Sequence, residues 1–346
     1  MNPAAFDPPI TGVYILMATF NGERYLRAQL ESIRGQSLCD WVLLVRDDGS
    51  TDQSTRIVRD YTARDPRIIL ISDTFGHLGP VRCFACLLQL AYDQGARYVA
   101  CSDQDDIWLP EKLADACAVL VALEARDGES VPTLVHSDLE VVNAHLLPIS
   151  PSFMHFERIN NPASPPLPVV VVQNHVVGCT LTANRALLAL ALPVPPDVRM
   201  HDWWLALCAK AAGTVHFLPK VSVKYRQHGR NTLGAAGFQG IYHVFSGIWW
   251  ARLVKRPRLH HDTLVQSGHL MARMAERGSA GQALAAEHLW RCMTTPLGVQ
   301  RVRMAYRAGL RGQNGVASGF FYVFLVLGLG GYARETRRER SDRRYE

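Results

Sequence analysis

The segment Ser102-Asp103-Gln104-Asp105-Asp106-Ile107-Trp108 places three carboxylates within four residues, between the apolar run Tyr98 to Cys101 and a helix expected to open at Pro110. Like charges this close raise one another's energy, so a cation belongs among them. Hard divalent ions prefer oxygen ligands, and Mg²⁺ takes one or two carboxylates while sharing the rest of its shell with phosphate and water. An Asp-x-Asp at the carboxyl end of a strand is therefore a seat for a metal-bound diphosphate. The competing reading is a solvated acidic turn whose last Asp caps the next helix. A second polar run, Asp47-Asp48-Gly49-Ser50-Thr51-Asp52, also divides two ways. It is either turn and cap chemistry throughout, or a strand-end Asp that accepts a hydrogen bond from a base N–H or a ribose hydroxyl.

These loops need strands to carry them. Val13 to Ala18 is a continuous apolar run of strand length, as expected of a strand covered on both faces, and it ends in Thr19-Phe20-Asn21-Gly22. Leu26, Leu30 and Ile33 then fall at helical spacing. Trp41 to Val45 is a second such run, followed by a helix with Ile57, Val58 and Tyr61. Ile68 to Ser72 is a third, followed by a Gly76-to-Gly79 loop and a helix with Phe84, Leu87, Leu88 and Ala91. Tyr98 to Cys101 is the fourth, and the helix after it carries Leu113, Cys117, Leu120 and Val121. Alternation at this pitch predicts right-handed crossovers and a mainly parallel sheet, whose ligands bind outside the carboxyl ends of the strands. The three polar loops all leave strands at that end, so they are expected to converge on one site.

Beyond Val131 the pattern loosens. A fifth strand is expected over Thr133 to Ser137, ending in Asp138, with Val141-Val142 after it. Ser150 to Pro168 reads as an acceptor-side loop. Strands are expected at Val169 to Val172 and Gly178 to Thr182, and a last hairpin at Thr214 to Leu218 and Val221 to Tyr225. For Asp138 and His175 the competing role is a satisfied structural polar group.

With 346 residues, 48% hydrophobic and 20% charged, the chain has room for one large domain or a domain with an appendage. The eight cysteines show no CxxC and no regular spacing, which predicts reduced thiols. Met1 to Thr11 lacks a basic n-region and an apolar h-region, so the fold is expected on the cytoplasmic side. The net charge of +6 resides in the last segment: residues 301–346 hold ten Arg against four acids. Nucleic acid and anionic lipid are the two partners such a tail fits. No recognition helix or stacking-sheet signature supports nucleic acid.

In order and spacing, Ala18-Thr19-Phe20-Asn21-Gly22, Asp47 to Asp52 and Ser102 to Trp108 resemble the motifs of the inverting family 2 glycosyltransferases with a GT-A fold. His201-Asp202-Trp203-Trp204 and Tyr225-Arg226-Gln227-His228-Gly229-x-Asn231 are similar to the bacterial rhamnosyltransferase-like branch. The resemblance covers about Val13 to Gly234. It implies an α/β fold with a single Rossmann-like GT-A domain over 12–234 and a mostly parallel sheet; outside it, the apolar and basic residues of 235–346 are read as a separate helical, amphipathic extension. It further implies that Thr19, Phe20 and Asp103 line the nucleotide and that Asp48 reads the base. Asp103 and Asp105 are expected at a Mg²⁺ or Mn²⁺ ion, with His228 beside them, and Gly178 and Cys179 at the donor sugar; Arg226, His228 and Arg230 suit the diphosphate by their side-chain chemistry, against the alternative of an exposed loop with no ligand. Inverting transfer needs a base for the acceptor hydroxyl, and the resemblance puts it at Asp202, against the alternative of a helix cap. Asp138, Trp203 and Trp204 fall on the acceptor side, with at least one tryptophan expected in the core. Cys83 departs from the pattern, since relatives often carry a polar Asn there.

Two C-terminal segments are apolar and flanked by arginine: Phe238 to Arg258, and Ser318 to Tyr332, whose 15 residues fall short of the about 20 that span a bilayer. They predict helices lying in the interface of an anionic membrane, or a helical tail packed on the catalytic domain or on a second subunit. The expected activity is transfer of a sugar, rhamnose being one candidate, from a dTDP- or UDP-sugar. The expected acceptor is a saccharide or polyprenyl-linked saccharide of a surface polysaccharide, reached from the inner face of the cytoplasmic membrane. The alternative is a non-catalytic nucleotide- or sugar-binding subunit of a membrane-associated assembly.

Overall fold

The computed structural model describes residues 12–159, 162–228, 257–295 and 299–327. By contact they form two compact units. One holds 12–157, 162–164 and 175–228, and the other holds 158–159, 165–174, 257–295 and 299–327.

In the first unit, β1 (Val13–Thr19), β2 (Val42–Asp47), β3 (Ile68–Ile71) and β4 (Tyr98–Ser102) alternate with α1 (Glu23–Arg34), α2 (Ser54–Thr62) and α3 (Pro80–Asp93). The strands pair in parallel in the order β3-β2-β1-β4. Ile15, Leu16, Leu43 and Leu44 are wholly buried, because helices cover both faces of the sheet. The apolar faces expected of α1 to α3 are the buried ones. On α4 (Lys112–Asp127), Leu113 and Leu120 are buried while Val121 points to solvent.

The second half of the sheet departs from the sequence reading. β5 (Ile107–Trp108), β6 (Thr133–Asn143), β7 (Pro148–Ser150), β8 (Thr182–Asn184) and β9 (Thr214–Gln227) continue it in the order β4-β8-β6-β9-β5, with β7 on β6. The expected hairpin is one strand, β9, running parallel to β6. Ser137 pairs with Leu218 and Asp138 with Val221, so Pro219 and Lys220 bulge out of register. A Pro cannot donate to the ladder, and a bulge accommodates it as well as a turn does. β6 likewise continues through Asp138 into Val141-Val142 without a break.

The valine run forms α6 (Leu167–Val172), preceded by α5 (Phe153–Phe156), because Pro168 at its start favours a helical first turn. Residues 178–180 form a 3₁₀ turn, and only from Thr182 does the chain pair as β8. α7 (Arg185–Ala191) and α8 (His201–Ala212) complete this unit. All eight cysteines are free thiols.

The second unit joins α6 to α9 (Pro257–Arg277), α10 (Ala280–Thr294), α11 (Val299–Arg307) and α12 (Gly315–Leu327). Residues 165–174, read from the sequence as part of the catalytic domain, thus group with the C-terminal helices. Ser279 and Gln282 close a reciprocal cap on α10. Among the described residues no helix is long and apolar enough to cross a membrane. Residues 238–256, and with them most of the first aromatic and basic segment, lie outside the described residues, as do 328–346.

Candidate active site

The loops after β1 and β2 are stitched to one another. The backbone N–H groups of Asn21, Gly22 and Glu23 donate to Ser50 Oγ, Ser54 Oγ and Asp52 Oδ2, at 2.9, 2.8 and 3.0 Å. Asn21 returns the contact, its Oδ1 accepting from Thr51 N at 2.8 Å. Asn21 sits at φ 49°, a left-handed conformation that Asn tolerates because its short amide bonds locally. Asp47 closes the turn on the N–H groups of Gly49 and Ser50. Turn chemistry therefore accounts for Asp47, Ser50 and Asp52, but not for Asp48.

The Asp48 carboxylate is buried. It accepts from Arg46 Nη1 at 2.7 Å and from the N–H groups of Leu78 and Gly79 at 2.7 and 2.8 Å. Burial alone would raise its pKa, but hydrogen bonds from Cys83, Leu78, Arg46 and Gly79 prevail and hold the carboxyl below the usual range. Arg46 reaches on to Asp73 and to the Gly76 carbonyl, and its Nη1 lies 2.9 Å from Cys83 Sγ. A thiol thus packs against a buried guanidinium at the start of α3. The half-exposed Phe20 ring packs on His77 at 4.7 Å, beside this anchored loop.

Gln104, the middle residue of the Asp-x-Asp, ties the acidic loop to β1. Its Oε1 accepts from Thr19 Oγ1 at 2.7 Å and Phe20 N at 2.9 Å, and its Nε2 donates to the Phe20 carbonyl. A Cβ on Gly22 would lie 2.1 Å from Gln104 Oε1, so any larger residue there must displace the Gln104 amide.

The acids on either side of Gln104 face inward together. Asp103 is pushed up to about 7 by burial, then by the charges of Asp105 and Asp202. Asp106 is raised by burial, Asp103 and Asp105, while its Oδ1 accepts from Arg226 N at 3.0 Å and its Oδ2 has no hydrogen-bond partner among the described residues. Asp105 Oδ2 lies 2.7 Å from His228 Nε2.

Two ligand sets compete here. Oxygen and sulfur atoms of Asp103, Asp106 and Cys179 lie within 4.8 Å of one another. Yet Asp106 and Cys179 are fully buried, and burial together with the neighbouring carboxylates keeps the Cys179 thiol protonated. Asp103, Asp105 and His228 remain partly open to solvent and offer the oxygen and imidazole donors that divalent ions take. Asp105 and His228 are already in contact and the charge of Asp105 acts on Asp103, so an ion bound on that outer side would draw on these donors.

Arg226 is a correction. Instead of facing a diphosphate, its guanidinium is buried, with Nε on the Asp105 carbonyl at 2.7 Å and Nη1 on the Ala144 carbonyl at 2.9 Å. It holds the acidic loop from beneath. Arg230 lies outside the described residues.

Asp202 sits in the first turn of α8 but is not its cap, which is Met200. Its two carboxylate oxygens accept from Gly178 N, at 3.0 Å, and from Trp203 N. Burial raises its pKa to about 6 against those two backbone donors. Gly178 is thus placed at Asp202 by a direct bond, with Cys179 next to it beside Asp106.

Trp203 and Trp204 are buried, and the Trp204 indole donates to the Ala191 carbonyl at 2.9 Å, so neither ring offers a face to an acceptor. Asp138 accepts from Ser152 Oγ and from the N–H groups of Phe153 and Met154, which makes it an anchor for the start of α5. His175 is buried edge-on against His136, 5.1 Å between centroids, and burial lowers it to about 4, so it is neutral.

The sequence reading missed Gln104, Arg46 and Tyr25, the last of which stacks on His228. Arg46 carried a signal: a cation near the end of an otherwise apolar strand, with Asp47 and Asp48 directly after it, is a buried ion pair in prospect.

Gly22→Ala should leave the unit folded but push Gln104 off Thr19 and Phe20. Affinity for a nucleoside diphosphate, measured by calorimetry, should fall about 10-fold, on the scale that misplaced supporting groups cost a site. Unchanged affinity would detach Gln104 from the nucleotide loop.

Residues 14–157 match the family model described as glycosyl transferase family 2. A dTDP-rhamnosyl transferase, RfbG, of Shigella flexneri is 28% identical over 63% of this chain and 74% of its own length. The UDP-Glc:alpha-D-GlcNAc-diphosphoundecaprenol beta-1,3-glucosyltransferase WfgD of Escherichia coli is 35% identical over 56% of this chain and 68% of its own. The crystal structure of S. aureus TarS 1-349 in complex with UDP-GlcNAc superposes with a TM-score of 0.52 at 16% identity, covering 86% of this chain and 79% of that one. That likeness shows a GT-A fold in common. The Escherichia coli relative is matched over more than two thirds of its length and reaches beyond the fold to the sequence itself: this chain belongs to glycosyl transferase family 2.

Proposed function

We propose that this glycosyltransferase of polysaccharide synthesis moves a sugar, with inversion, from a dTDP- or UDP-sugar to a hydroxyl of a saccharide or polyprenyl-linked saccharide. The observation that carries the reading is the convergence of partly open Asp103, Asp105 and His228 with a buried, backbone-held Asp202. The names of the two relatives, one using a dTDP-sugar and the other acting on a diphosphoundecaprenol-linked sugar, support the donor and acceptor classes.

The nucleoside lies against Thr19 and Phe20, with Asp48 at the base. Mg²⁺ or Mn²⁺ held by Asp103, Asp105 and His228 would supply the positive charge that the departing diphosphate needs. Asp202 accepts the acceptor hydroxyl's proton as that oxygen bonds to the anomeric carbon and the bond from that carbon to the diphosphate oxygen breaks. The two N–H donors on Asp202 fix its orientation, and its pKa of about 6 leaves it both ionised near neutrality and basic enough to work.

Asp202→Asn should keep nucleotide affinity and lose about 10²- to 10⁴-fold in kcat, the usual range for a general base. In the parent, deprotonation activates the base, so kcat should be flat at alkaline pH and fall as pH drops through about 6. Unchanged turnover in the variant, or no acid limb in the parent, would remove Asp202 from the chemistry.

We infer further that the helical unit rests on an anionic membrane face. Tyr306, Val323 and Val326 are 72%, 47% and 57% exposed, and Arg303, Arg307 and Arg311 are exposed with them. The parent should float with anionic liposomes, less so at 1 M salt, where screening shortens to about 3 Å. Val323→Glu with Val326→Glu should abolish flotation while sparing the buried Phe321 and Leu325. A parent that does not float but sediments as a dimer would assign this surface to a second subunit.

A further inference from the structure

We propose that Tyr25 is the positioning residue that aims the His228 imidazole at the acidic loop, a role that rests on the reading of Asp103, Asp105 and His228 as the metal seat. Tyr25 lies in the first turn of α1, three residues past Gly22. Its ring stacks on that of His228, 4.8 Å between centroids and 26° between planes. The Arg226 guanidinium carbon stands over the same ring at 4.5 Å, and that of Arg24 at 5.1 Å.

His228 and Arg226, at the end of β9, both reach the acidic loop. His228 Nε2 meets the Asp105 carboxylate and Arg226 Nε the Asp105 carbonyl. One aromatic plane therefore sets both. The outer torsion of a histidine side chain is broad, with no sharp staggered preference, so the imidazole needs a surface to lie against before its nitrogen points one way.

The phenol oxygen plays no part in this. It is shielded from solvent, and among the described residues it has no hydrogen-bond partner. The contacts are made by the ring face, through π stacking and attraction of the desolvated Arg226 cation. Because Tyr25 directly follows the nucleotide loop, the same helix turn couples the position of the nucleoside to that of the metal-side histidine.

The test is Mn²⁺ binding by the full chain, read from the loss of the free-ion electron paramagnetic resonance signal, for the parent, Tyr25→Phe, Tyr25→Leu and His228→Ala. Supporting groups behind a metal ligand are typically worth about 10- to 100-fold in affinity. Tyr25→Leu should therefore lose at least about 10-fold and approach His228→Ala, while Tyr25→Phe should match the parent. If Tyr25→Leu binds like the parent while His228→Ala is weakened, the proposal falls and the metal seat stands. If the parent does not bind Mn²⁺, or His228→Ala binds like the parent, the metal seat itself fails and takes the proposal with it.

A second measurement does not depend on the Leu variant folding. Proton NMR of the histidine-labelled parent, with His228 identified by His228→Gln, should find its ring protons shifted upfield by the stacked phenol. A random-coil shift there would overturn the proposal.

Discussion

The gathering of buried and half-buried carboxylates is the constraint on which this site depends. Burial, and then the charges of Asp105 and Asp202, raise Asp103 to about 7, and the fold invests in keeping these acids together. Arg226 anchors the acidic loop at one carbonyl and one carboxylate, Gln104 ties it to β1, and two backbone N–H groups hold Asp202. A group so placed costs stability in the absence of a cation, and that cost becomes binding energy when one arrives.

Asp48 shows the opposite use of the same side chain. Its carboxylate is ringed by Arg46 and by loop N–H groups, so it stays ionised and rigid. Breaking a buried pair by removing one partner costs about 3 to 5 kcal/mol, so Arg46 is as necessary to the shape of this loop as Asp48 itself. Environment sets one residue type three ways: Asp48 is held ionised by its donors, Asp103 is raised to about 7 by burial and its acidic neighbours, and Asp202 is raised to about 6 by burial, which suits the base proposed for it.

The parallel half of the sheet was legible because Val13 to Ala18, Trp41 to Val45 and Ile68 to Ser72 are unbroken apolar runs, each followed by a helical face. The other half was not. Pro219-Lys220 carries the same local signal whether it turns the chain or bulges within β9, and only pairing with β6 decides. The valines of 169–172 favour a strand by propensity, yet Pro168 and burial made them helical. In the site, residue type drew attention to the acids and His228 but could not show that Arg226 is held under the acidic loop and Asp138 at the start of α5. Cationic character suited Arg226 to phosphate, whereas its partner Asp105 is 121 residues away in the chain. Asp138 was satisfied by Ser152, Phe153 and Met154, a local cap hidden by the irregular segment between.

The central claim is that the gathered carboxylates and His228 bind a nucleoside diphosphate through a divalent ion. Calorimetric titration of UDP and dTDP into the full chain, with Mn²⁺ and then with excess EDTA, tests it most directly. Binding of at least one nucleotide with Mn²⁺ and its loss or weakening by more than about 10-fold in EDTA is the predicted result, since the acids repel a bare diphosphate. Equal affinity in EDTA would contradict the account.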